Sequence, residues 1–294
     1  MTDVTCVLDC RAELGEGPLW DVAEQRLYWV NIKQREIHRF DPATGRDEMW
    51  KAPEAVGSLA LRARGGLVVA LRSGFFFFEP STGAFQPIVA PEPERRENRF
   101  NDGKPDRQGR FWAGSMHDPE KLPTGGLYRL DVDHTCKRLV DNVVCSNSLC
   151  WSPDGRVMYY GDSYACKVWA WDFDTATGEI ANRRVFAERP AEEGFPDGAT
   201  VDAEGGVWVA YWQGWRVTRF DPDGKVERVV KMPVEKPTCP AFGGKDLDIC
   251  YVTSAWIGGE RQGQAGSIFA FQPGVKGVAE ARFRRAIHER HDLN

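Results

Sequence analysis

The sequence predicts an all-β, six-bladed propeller, formed as a single domain over residues 1–294. Three observations carry that prediction: a turn-then-strand unit that recurs about six times, a composition rich in turn formers, and an absence of helical periodicity. The unit is clearest as Asp202-Ala-Glu-Gly-Gly-Val-Trp-Val-Ala, a glycine-bearing turn leading into an apolar strand. Arg62-Ala-Arg-Gly-Gly-Leu-Val-Val-Ala, Asp106-Arg-Gln-Gly-Arg-Phe-Trp-Ala-Gly and Ser152-Pro-Asp-Gly-Arg-Val-Met-Tyr-Tyr match it. Asp21 through Trp29 does so with one extra turn residue, and Phe242 through Val252 is a weaker copy. The unit starts at Asp21, Arg62, Asp106, Ser152, Asp202 and Gly243 lie 41 to 50 residues apart. A repeat of that length with three or four short strands is a propeller blade, which packs radially on its neighbours because it cannot bury both faces alone.

The remaining elements follow from this frame. The extended segment from Val4 to Cys10 precedes the first full unit and is expected to complete the last blade, joining the ends of the ring. The run Phe75 to Phe78 places aromatics on both faces of one strand, as a strand sandwiched between two blades requires. Thirty Gly and 18 Pro suit many tight turns, and 42% apolar with 28% charged residues supports a large core and excludes a disordered chain. With 43 acidic against 38 basic side chains, a net charge of −5 and no basic run, nucleic acid is excluded as a partner. No apolar run is long enough to span a bilayer, and the first 15 residues carry Asp3, Asp9, Arg11 and Glu13 rather than a secretory leader. A soluble, cytoplasmic chain with no membrane partner is expected. Its eight cysteines form no Cys-x-x-Cys pair and are expected to be free thiols serving as small apolar side chains. A closed ring has no free sheet edge, so a monomer is expected.

Counting five residues back from each turn start selects Glu16, Gly57, Asn101, Asn147, Asp197 and Thr238. Equivalent positions in a propeller share one radius and one height. If this height is the channel mouth, two carboxylates and two carboxamides converge there, and Gly57 leaves an opening. Two readings remain at this point. Either a divalent cation relieves the repulsion and desolvation of the carboxylates, or the residues are turn and capping groups solvated at strand ends. An all-oxygen donor set suits Ca²⁺, Mg²⁺ or Mn²⁺, admits Fe²⁺, and without a histidine has little preference for Zn²⁺.

Several strings are more specific. Gly15-Glu-Gly-Pro-Leu-Trp20, Arg99-Phe-Asn-Asp-Gly-Lys-Pro-Asp106, Gly109-Arg-Phe-Trp-Ala-Gly-Ser-Met116, Ser146-Asn147 and Pro196-Asp-Gly198 resemble the SMP-30/gluconolactonase family, which includes regucalcin and bacterial sugar lactonases. The resemblance runs from about Cys10 to Gly277, and its nearest likeness is to bacterial lactonases of the xylonolactonase type. It implies a six-bladed propeller with one divalent cation, Ca²⁺, Mg²⁺, Mn²⁺, Fe²⁺ or Zn²⁺, held by Glu16, Asn147 and Asp197. It places substrate contacts on Arg99 and Asn101. The stretch Met116-His-Asp-Pro-Glu120 departs from the acidic pattern of the family and leaves the roles of His117, Asp118 and Glu120 open. Ser148 stands where a glycine is common.

The activity the resemblance implies is hydrolysis of a sugar lactone, xylonolactone or gluconolactone, to the aldonic acid. The chemistry requires an activated water, a stabilised oxyanion and partners for the hydroxyl groups. Asp197 is expected to act as both metal ligand and general base, with a purely Lewis-acid cation as the rival mechanism. A serine nucleophile has no support, because Gly-x-Ser-x-Gly is missing and His38, His117, His134, His288 and His291 form no triad pattern. Most tryptophans are expected in inter-blade packing, with Trp212 or Trp256 as candidate pocket walls, and Arg282 to Arg285 as a solvated terminal face. The alternative class is a non-enzymatic, metal-binding propeller whose top face binds a protein or small ligand.

Overall fold

In a computed structural model, which describes residues 3–258 and 260–284, the chain forms six four-stranded antiparallel sheets arranged as propeller blades. Blade 1 is a meander of Gly15–Asp21, Arg26–Asn31, Glu36–Asp41 and Arg46–Lys51. The innermost strands of blades 2 to 6 are Val56–Leu61, Asn98–Pro105, Ser146–Trp151, Phe195–Val201 and Pro237–Gly243. Each packs on the next, and the last packs on Gly15–Asp21, which closes the ring around the axis. Blade 6 contains three consecutive strands, and Thr5–Leu8 supplies its fourth by pairing with Ile268–Phe271. The N-terminal segment therefore ties the two ends together as expected, and the ring stays shut without a covalent link.

The recurring unit owes its sequence to local satisfaction of buried groups. Asp106 and Asp202, both fully buried, begin the turns of blades 3 and 5. Their Oδ2 atoms accept the indole N–H of Trp112 and Trp208 at 2.9 and 2.8 Å and a guanidinium Nε of Arg110 and Arg219 at 2.6 and 2.7 Å. A buried carboxylate is tolerated only with such partners. The apolar core lies between blades. Phe76 and Phe78 pack toward blade 1 with Val30 and Ile37, while Phe75 and Phe77 pack toward blade 3 with Phe111 and Tyr128. The four phenylalanines thus serve two interfaces from one strand. All eight cysteines are free, and four of them are buried. No helix among the described residues is long and apolar enough to cross a membrane.

Two expectations are corrected. Gly57 leaves no opening: a Cβ there would collide with the Phe100 carbonyl, so the glycine permits close packing of blades 2 and 3. The stretch from Arg282 is only in part a solvated face: Arg284 is exposed, but Phe283 is buried and Arg282 is partly so. Residues 276–284 cross the ring at the turn ends of the inner strands. Lys276 O accepts from Ala203 N (2.8 Å), Gly277 N donates to Leu247 O (2.7 Å), and Arg284 N donates to Gly109 O (3.1 Å). Phe283 is buried against blades 2 and 3, Arg282 pairs with Asp21, and Glu280 pairs with Arg107 at 3.5 Å. Arg285, His288 and His291 lie outside the described residues.

Candidate active site

At the opposite end of the inner strands, the register position selected from the repeat coincides with a break in strand pairing in all six blades. The pairing register slips between Glu16 and Leu19, across Gly57, between Phe100 and Gly103, at Asn147, across Asp197 and across Thr238. A bulge turns a side chain out of the strict in-out alternation, which re-aims it at the mouth of the channel. In blades 1 and 4 the next residue adopts a left-handed conformation, Gly17 at φ 53° and Ser148 at φ 57°. This explains why a glycine suits the position of Ser148. The serine instead donates its hydroxyl to the Asp197 carbonyl and so links blades 4 and 5.

Glu16, Asn147, Asp197, Arg99 and Asn101 line one cavity of about 250 Å³. All five are buried, none more than 6% exposed. Arg99 donates Nη1–H to Asn101 Oδ1 (2.6 Å) and Nε–H to Asp118 (2.7 Å). Asn101 donates Nδ2–H to Asn147 Oδ1 (3.0 Å), and Asn147 donates Nδ2–H to Ser163 Oγ (2.8 Å). Ser163 donates its hydroxyl to Pro196 O (2.7 Å), next to Asp197. The remaining two register positions stay outside the cavity. Thr238 is turned away and donates to Gly15 O (2.6 Å), and Gly57 has no side chain.

The carboxyl groups of Glu16 and Asp197 lie within hydrogen-bonding reach of one another. Burial, then the Asp102 charge, pushes Glu16 up to about 7, against the opposing effect of the Gly17 amide on Oε2 at 2.9 Å. Burial and the Glu16 charge hold Asp197 well above the usual carboxylate range. Asp102 is also raised by burial, against the opposing charge of the buried Lys104, and its Oδ1 has no hydrogen-bond partner among the described residues. The two carboxyl groups crowded out of water in the cavity are the feature a cation would stabilise. Glu16, Asp197 and the free lone pair of Asn147 Oδ1 supply hard oxygen donors. Cys145 also lines the cavity, and burial pushes its thiol up. Among the described residues no group of three His, Cys, Asp or Glu forms a conventional metal cluster, so the donor set depends on the carboxamide.

The departing stretch after Met116 divides its three roles. Glu120 lines the cavity and accepts from Tyr164 OH (2.6 Å). Asp118 lies behind Arg99, and His117 turns toward Glu97 (3.5 Å) and accepts from Lys121 N (3.2 Å). Trp212 is a wall, whereas Trp256 lies elsewhere and donates to Arg11 O (3.1 Å). Ser163, Tyr164, Lys33 and Phe195 are lining residues that the sequence reading missed. Ser163 and Tyr164 begin a short 3-10 turn, Ser163–Ala165, capped by Asp162, which also accepts from the Val144 and Cys145 amides. The Asp-Ser pair at a strand end was the only available signal, because no motif marks which loop folds over the mouth.

Fold and site together define a six-bladed propeller with an acid-and-amide cluster at one mouth of its channel. The SMP-30/Gluconolactonase/LRE-like region matches residues 14–256, and the chain belongs to that family. It is 38% identical over 292 residues to regucalcin of Xenopus laevis, covering 95% of this chain and 98% of that protein. Among solved structures it resembles a luciferin-regenerating enzyme, with TM-score 0.90, 32% identity, and coverage of 97% of this chain and 100% of the other. A calcium-binding protein, regucalcin from Agrobacterium tumefaciens, superposes with TM-score 0.92 at 30% identity, covering 96% and 98%.

Proposed function

We propose that the protein is a metal-dependent lactonase that opens a sugar lactone, xylonolactone or gluconolactone, to its aldonic acid. The observation that carries this reading is the convergence of Glu16, Asp197, Asn147, Asn101 and Arg99 on one cavity. Membership of a family that includes gluconolactonases supports it. Glu16, Asn147 and Asp197 would hold the cation. When bound, it supplies positive charge that polarises the lactone carbonyl and lowers the pKa of water.

The chain's own residues supply the rest. Glu16 has one oxygen tied to the Gly17 amide, which leaves Asp197 to take the proton from the attacking water. As the ring C–O bond breaks, the same proton is available to the departing ring oxygen, so Asp197 returns to its starting state. Arg99 donates to the lactone oxygens and stabilises charge as it develops, and Asn101 orients beside it. Glu120, Tyr164 and Lys33 offer acceptors and donors to ring hydroxyls.

The test is hydrolysis of xylono- and gluconolactone by chelated protein and by protein reloaded with Ca²⁺, Mg²⁺, Mn²⁺, Fe²⁺ or Zn²⁺. Turnover restored by a cation is expected. Equal rates with and without cation would reject the metal-assisted reaction. Asp197→Asn that binds cation yet hydrolyses at the wild-type rate would remove the base. The name of the Agrobacterium relative, a calcium-binding protein, favours a second reading as a binding module. That reading predicts cation binding with no turnover of any lactone.

A further inference from the structure

Asp118 does not line the cavity, yet it gathers three cations from three blades. Its Oδ1 accepts from Arg99 Nε (2.7 Å) and Lys33 Nζ (3.0 Å), and its Oδ2 pairs with Arg72. The Asp118 amide donates to Glu97 O (2.9 Å), which fixes the carboxylate in place. Nε is committed to Asp118, and Nη1 meets both Asn101 Oδ1 and the Phe100 carbonyl (3.1 Å).

A guanidinium carries only donors, so the Asn101 atom facing it must be the carboxamide oxygen. The Asn101 nitrogen then faces the Ser146 carbonyl (2.9 Å) and Asn147, and the Asn147 atom that receives it must also be an oxygen. The Asn147 nitrogen is turned to Ser163, whose hydroxyl proton goes on to Pro196 O. One direction of donation runs through the whole series. A carboxamide by itself has no such preference, because its two ends have nearly the same shape.

We propose that Asp118 is a positioning residue that, by holding Arg99 against Asn101 Oδ1, works with the Phe100 and Ser146 carbonyls to keep the Arg99–Asn101–Asn147–Ser163 relay in one direction and so the Asn147 oxygen toward the cation. This rests on the proposed reading of Asn147 as a metal ligand. Residues that orient a ligand from behind typically change affinity or activity about 10- to 100-fold when lost.

The test is a double-mutant cycle on Mn²⁺ affinity, measured by titration calorimetry with Asp118→Ala, Arg99→Met and the double variant. Asp118→Ala, which leaves no acceptor for Arg99 Nε, is expected to weaken Mn²⁺ about 10-fold or more, and to have little further effect once Arg99 is methionine. Equal losses in both backgrounds would overturn the relay. The Arg99 Nε–H proton resonance gives a second measurement: protected in the wild type and lost in Asp118→Ala. Its persistence in that variant also overturns the proposal. Wild-type protein that binds no Mn²⁺ would reject the cation site itself, and the Arg99 resonance would still decide whether Asp118 holds the guanidinium.

Discussion

Glu16 of blade 1 and Asp197 of blade 5 bring their carboxyl groups within hydrogen-bonding reach at the mouth of the channel, each almost wholly removed from water. Among the described residues neither carboxyl accepts a hydrogen bond from a basic side chain, and Glu16 is bonded to the Gly17 amide. Such a pair is held together by the ring and not by its own attraction.

Glu16→Gln should therefore have opposite effects with and without cation. Without it, at pH 8, removing one of two crowded negative charges should raise the melting temperature. With it, the stabilisation gained from a saturating cation should shrink or vanish. At a hundred times its dissociation constant a ligand adds about 2.7 kcal/mol. Thermal melts of wild type and variant, each chelated and loaded, check both signs.

The Asp118 cluster predicts an acid-sensitive contribution to stability. Burial raises the Asp118 carboxyl, but Arg72, Arg99 and Lys33 more than offset it and hold it well below the usual range. A carboxylate depressed in the folded state contributes stability above its unfolded pKa, about 3.9, and loses it as pH falls toward the folded value. Asp118→Asn should cost about 2 kcal/mol at pH 7, and the gap to wild type should narrow below pH 4. Urea unfolding across that range measures it.

Gly57→Ala tests how tightly blades 2 and 3 approach. The added methyl would meet the backbone at Phe100 and Asn101, which cannot swing aside as a side chain can. Overpacking of this kind costs about 1–3 kcal/mol, and the value here should sit at the upper end. A variant as stable as wild type in denaturant titration would contradict the packing described.

Phe283→Ala tests the segment that crosses the far end of the channel. Its ring is buried among residues of blades 2 and 3 and near Phe77, at 6.2 Å between centroids. Its loss should cost about 3 kcal/mol while leaving cation affinity unchanged, because the cavity lies at the other mouth. Calorimetric melts and cation titration of the same variant separate the two effects.

How much of this was legible in the sequence depends on the kind of contact. Glu16, Asn101, Asn147 and Asp197 occupy one repeat position, and in a radially repeated fold equal register means equal height, so counting found them. Thr238 obeys the same count but turns away to Gly15 O, because its hydroxyl finds a partner within the ring. Gly57 also obeys it and is a packing point. Glu120, Tyr164, Ser163 and Lys33 come from segments with no repeat constraint, so nothing in their spacing announced that they would meet.

The sequence by itself determined the blade count, the closure of the ring by the N-terminal strand, and the acids and amides at the channel mouth, because repetition converts distance along the chain into position around an axis. Only the tertiary structure decided which loops complete the cavity, that Asp118 lies behind Arg99, and that residues 276–284 cross the opposite end. Those contacts join segments unrelated by the repeat, and their partners are settled by which polar groups must be satisfied once the blades have closed.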